Sequence, residues 1–186
     1  MPVGETERVE VWNTFFKFAR DEAASLKRLQ NPTWVAKQHN FLGGTLDDNK
    51  MHSLAVIAWC LLALEAREAH LIELLKEEGN LTPEQAKAVH FLGIKEKWAL
   101  IPKLAGKHIN IDFKIGPHQA VAQLDALRNK LFHVKYESLI RDLPHGQQAV
   151  SIFNQFVYAM EDMNVILRCH KKHHKRVLSI ALDKVI

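Results

Sequence analysis

Two cysteines in 186 residues, Cys60 and Cys169, are too few and too far apart for a disulfide framework. Cys60 sits in an apolar run and reads as a small buried hydrophobe, and neither position offers an argued nucleophile. The chain has no Gly-rich phosphate loop, no Gly-x-Ser-x-Gly turn and no cysteine pair at zinc spacing. P-loop hydrolysis, the serine-hydrolase elbow and a structural zinc site are therefore not expected. No apolar run is long: the longest, Leu54 to Leu64, has eleven residues, where a membrane-spanning helix needs roughly 20. Residues 1–7 lack the basic and then apolar regions of a secretory leader. A cytoplasmic chain without a membrane partner is expected. Internal repeats and low-complexity linkers are also missing, so residues 1–186 are expected to form a single domain.

Apolar residues make up 47% of the chain and charged residues 25%, a balance that supports a buried core and argues against disorder. The formal charge is +4, with eleven histidines. A mild basic excess permits a nucleic-acid partner without requiring one. The excess is concentrated at 168–176, where five cations and three histidines stand with no acid.

Apolar spacing of three and four predicts helices throughout. Trp12, Phe16, Ala19, Ala23 and Leu26 mark one over 5–29, ended by Asn31-Pro32. Leu54, Ile57, Leu61, Leu64, Leu71 and Leu75 mark a second over 49–78, interrupted by Glu65 and Glu68 and stopped by Gly79. Thr82-Pro83-Glu84-Gln85 is a helix-start signature. Lys95 to Leu104 forms a further short helix. Ile109, Ile111, Phe113 and Ile115 alternate with polar residues, which is period two. That segment near 109–115 is at most a short strand or an extended loop. Helices over 118–136 and 147–178 complete an all-α, up-and-down bundle of five to six helices.

The helix over 118–136 carries the most informative side chains. Ala120, Leu124, Leu127, Leu131 and Val134 form its apolar stripe. At about 100° per residue, Asn129 and His133 share the opposite face. Phe132 and Tyr136 project near them, and Arg128 lies between the two faces. An aromatic ring, a Tyr, a His and an Asn on a polar back suit a second contact surface or a cleft. The plainer alternative is that Phe132 packs beneath a neighbouring helix while the polar groups bond locally.

The run Leu127-Arg128-Asn129-Lys130-Leu131-Phe132-His133 resembles the R-x4-6-H motif of HEPN domains. The upstream Lys97-Trp98, Leu100-Ile101-Pro102 and the apolar helix with Glu65 are similar to HEPN sequences in order. The resemblance is strongest over 50–135. It implies a HEPN-like helical bundle that forms a homodimer, with two motifs meeting in one composite cleft. Many members are metal-independent endoribonucleases of toxin–antitoxin, abortive-infection and other defence systems. Others have lost activity and bind a nucleotide, nucleic acid or protein. Carried over, Arg128 and His133 are the catalytic pair and Asn129 the polar residue that positions them. RNA is then the expected partner, beside an antitoxin or other partner protein, with no cofactor and no metal.

The chemistry agrees with those residue types. RNA brings its own nucleophile, the 2′-hydroxyl. Cleavage then needs a proton acceptor, a proton donor and a cation facing the phosphate. Histidine serves either proton role near neutral pH, and the arginine fork matches phosphate oxygens. Two protomers supply two imidazoles, one for each role.

Three further features were weighed. Lys171, Lys172, Lys175 and Arg176 are candidates for gripping an RNA backbone; the plainer reading is a soluble basic helix end. His170, His173 and His174 stand at metal-binding spacing, but no carboxylate lies within the cluster to complete a site. Glu65 and Glu68 need partners if buried; either pairs with Arg128 or His133 across the bundle, or is exposed.

Overall fold

The computed structural model describes residues 5–29, 48–133 and 144–167, all of whose regular elements are helices. They are α1 (Glu5–Leu29), α2 (Asp48–Glu77), α3 (Pro83–His90), α4 (Ile94–Leu104), α5 (Gln119–His133) and α6 (Gly146–Leu167). The architecture is an all-α bundle. None of these helices is long and apolar enough to cross a membrane.

Helix α2 is the hub: α1, α3, α4, α5 and α6 all pack against it. This accounts for its sequence, in which Leu54 to Leu64 is apolar on every face rather than along one stripe. Val56, Ile57, Cys60, Leu61, Ala63 and Leu64 are buried there. Helix α1 contributes Trp12, Phe16 and Leu26, and α6 contributes Phe153, Phe156 and Met160. The Phe16 ring sits 5.6 Å from Phe153 and 5.9 Å from Phe156, centroid to centroid, so it joins α1 to α6. Burial pushes the Cys60 thiol far above its usual pKa, which suits a packing role.

Local chemistry sets the helix ends. Gly79 follows α2 with φ +76°, and Asn80 N–H donates to Leu75 O (2.8 Å) while Gly79 N–H donates to Lys76 O (3.1 Å). Gly106 repeats the arrangement after α4, with φ +71° and bonds from Lys107 N–H to Pro102 O (2.8 Å) and Gly106 N–H to Lys103 O (3.0 Å). Both are Schellman closures that need a left-handed residue. Thr82 and Gln85 form a reciprocal capping box at the start of α3. At α4 the Glu96 carboxylate accepts from Gly93 N–H at 2.9 Å.

The period-two segment is not a strand. Residues 107–112 have no regular structure and 113–116 bend, with no partner strand among the described residues. Ile111 and Phe113 pack on the core, whereas Ile109 and Ile115 are exposed. Lys95 Nζ lies 5.4 Å from the Phe113 ring centre, which pins the segment over α4.

Candidate functional site

The α5 stripe behaves as its spacing predicts: Ala120 and Leu124 are fully buried and Leu127 is half-buried. Asn129, on the opposite face, is exposed. Arg128 is about 40° round the helix from Leu124, which turns it toward α2 rather than into solvent. There its Nε lies 2.9 Å from Glu65 Oε1, each side chain 40% exposed. Of the alternatives open to Glu65, pairing with Arg128 is the one the structure shows. His133 ends α5, but its side chain lies outside the described residues, as do Phe132 and Tyr136. Around the helix His133 is about 140° from Arg128 and about 40° from Asn129.

About one turn along α2 from Glu65, three helices share a charged layer. Glu68 is fully buried, and Lys97 Nζ from α4 lies 3.0 Å from its Oε2. Burial pushes the Glu68 carboxyl up to about 8. Lys97 opposes that shift by its charge and hydrogen bond, while the neighbouring carboxylates Glu65 and Asp125 add to it. Glu65, Glu68 and Asp125 are the carboxylic groups of this layer, and Lys97 and Arg128 its basic ones.

Two polar constellations escaped the sequence reading. The first centres on His118, which is buried just before α5. Trp98 Nε1–H donates to His118 Nδ1 at 3.0 Å, and His118 Nε2–H donates to Asp162 Oδ2 at 2.8 Å. Both imidazole nitrogens are engaged, so this histidine ties α4, α5 and α6 together rather than acting as a free base. The signal available beforehand was Trp98, since a buried indole N–H requires an acceptor. The second is Arg67, buried on α2 between Glu65 and Glu68. Its guanidinium lies 4.9 Å from the Trp12 ring centre and donates to Asn164 Oδ1 at 2.5 Å. A charged residue two places from Glu65 in an otherwise apolar helix was the signal there.

The basic run at 168–176, with Lys171, Lys172, Lys175, Arg176 and the His170, His173 and His174 cluster, lies outside the described residues. Among the described residues no three His, Cys, Asp or Glu side chains converge closely enough to hold a metal ion. No family model, no curated protein and no solved structure matches this chain.

Proposed function

We propose that this chain is a HEPN-like, metal-independent endoribonuclease that works as a cytoplasmic homodimer, in a toxin–antitoxin or related defence setting. The observation that carries the reading is the Arg128–Glu65 pair. It places the motif arginine at the surface of α5, half-exposed and held from behind by a carboxylate. A guanidinium held by a carboxylate yet still 40% exposed is oriented at the surface, which is what phosphate recognition requires. Asn129 stands exposed one residue further on. The HEPN-like motif implies a site completed by a second copy. In it, the arginine of each chain meets phosphate while the two imidazoles divide the proton transfers.

The test is cleavage of mixed RNAs by the wild-type protein with EDTA present, against Arg128→Ala, Asn129→Ala and His133→Ala. Loss of cleavage in the Arg128 and His133 variants, with helicity and dimer mass retained, supports the reading. A dimer that leaves RNA intact overturns it. RNA binding by the basic run predicts a steep fall in affinity with salt, flattened when Lys171, Lys172, Lys175 and Arg176 are neutralised.

One observation favours a second reading. Glu65 offsets the charge of Arg128, and this weakens its pull on phosphate. The motif then serves inter-helix packing in a non-catalytic HEPN-like module that binds a protein, nucleotide or nucleic acid. A stable dimer with no nuclease activity, in which Arg128→Ala lowers the melting temperature, is the outcome this reading expects.

A further inference from the structure

Helix α2 carries a second apolar stripe, opposite the one that faces the core. Met51, Ala55, Ala58, Leu62, Glu65 and Ala69 follow one another at spacings of four and three, so they form one line along the helix. None of the six is buried, and Met51 and Leu62 are 50% and 40% exposed. A helix face turned away from the core normally carries charged residues; here Glu65 is the one charged side chain of the six. Toward α1 the apolar surface continues through Trp59, whose ring lies 5.8 Å from Phe15 and 4.9 Å from the exposed Phe18. Toward α5, Glu65 meets Arg128. Isolated exposed apolar residues are ordinary, but these are contiguous.

The order of sizes along this line is complementary to its own reverse. When two copies of α2 lie antiparallel about a two-fold beside position 60, Leu62 of one faces Ala58 of the other, Met51 faces Ala69, and Glu65 faces Ala55. A small side chain stands opposite a larger one at every layer, which is how helix faces interdigitate. A parallel pair instead sets Leu62 on Leu62 and Glu65 on Glu65, which leaves gaps at the alanines and opposes like charges. The stripe is about 27 Å long. With α1 beside it, the face covers roughly 500 Å², the centre of a contact that needs about 800 Å² per partner in a stable dimer. The stripe itself carries no cation, so it has nothing to offer a phosphate backbone.

We propose that the outer stripe of α2 is a self-association surface, on which a second copy of this chain docks with its own α2 antiparallel. The two-fold then runs across the helix pair, so both α5 helices fall on one edge of the contact and both α1 helices on the other. The two Arg128–Glu65 pairs border a single cleft, with the Glu65 positions about 15 Å apart along the helices. The α1 edges bring the exposed Phe18 of each copy to the opposite rim. This deepens the composite-site reading by naming the faces that meet, and it rests on that reading only for the use made of the cleft.

The test is the mass and the cross-linking of the full chain. Sedimentation equilibrium at micromolar concentration is expected to give twice the chain mass. Leu62→Lys, at an exposed position, should weaken association at least about tenfold with the circular dichroism spectrum unchanged. In a Cys169→Ser background, a mixture of Ala58→Cys and Leu62→Cys chains should form a disulfide between the two variants on mild oxidation, because their Cα atoms come within the roughly 7 Å that the bond allows. A mixture of Ala58→Cys and Ala69→Cys chains should not. A monomeric wild type, undiminished association in Leu62→Lys, or equal cross-linking in the two mixtures overturns the proposal. The nuclease reading fails separately. A dimer that cross-links as expected but leaves RNA intact keeps the surface and loses the activity; RNA cleavage by a dimer indifferent to Leu62→Lys does the reverse.

Discussion

The indole N–H of Trp98 donates to Nδ1 of His118, and this single bond fixes the imidazole as the Nε2–H tautomer that Asp162 accepts from. The imidazole is buried while the carboxylate is 47% exposed, so the two bonds differ in worth. A buried donor stripped of its acceptor costs about 1–3 kcal/mol, whereas Asp162→Asn leaves an amide oxygen that still accepts from Nε2–H. His118→Ala is therefore expected to lower stability well beyond Asp162→Asn. Urea unfolding followed by tryptophan fluorescence distinguishes them; equal losses would contradict this assignment.

Glu68 makes the fold pH-sensitive in a direction opposite to most carboxylates. Its folded value of about 8 lies above the unfolded value of 4.5. The folded state keeps a proton that the unfolded chain releases. The contribution is fully present below pH 4.5, falls as pH rises toward 8, and is gone above it. Glu68→Gln should remove this slope, amounting to a few kcal/mol, and leave the variant more stable than wild type at alkaline pH. Parallel stability–pH curves for the two proteins would exclude it.

Glu65 separates orientation from stability. Both it and Arg128 are 40% exposed, so Glu65→Gln should cost at most about 1 kcal/mol. If the guanidinium meets phosphate, the same change should alter RNA cleavage far more than it alters melting. Measuring the two on one preparation decides whether the pair serves the bundle or the site.

The helix stops at Gly79 and Gly106 carry a backbone cost alone. At both positions φ is positive and a Cβ would meet nothing within 4 Å. Gly79→Ala and Gly106→Ala should each destabilise by roughly 1–2 kcal/mol, without the cavity or clash that normally accompanies such losses. Denaturant midpoints with unchanged slopes would show it.

Local signals were legible in the sequence, and distant pairings were not. Thr82 with Gln85, Gly79 and the apolar spacings placed the helices because each acts within a turn or two of chain. Glu65 facing Arg128 was one of several arrangements the interrupted apolar helix left open, and Glu68 facing Lys97 was not among them. The 109–115 segment read as at most a short strand or an extended loop, but alternation alone could not say that Ile109 and Ile115 stay outside; with no partner strand among the described residues, only Ile111 and Phe113 find the core. Trp98, His118 and Asp162 come from three helical neighbourhoods, and His118 and Asp162 are 44 positions apart. Arg67 and Asn164 are separated by 97. No periodicity connects residues at such distances, so only the packing of α2, α4 and α6 shows them.

Because α2 is enclosed by every other described helix, no sub-domain can come loose without uncovering it. The backbone amides at its centre, around Val56 to Leu64, should exchange with solvent deuterium only when the entire molecule opens. Their exchange rate would then report the global unfolding free energy, against which α3, short and peripheral, sets the lower bound of local opening.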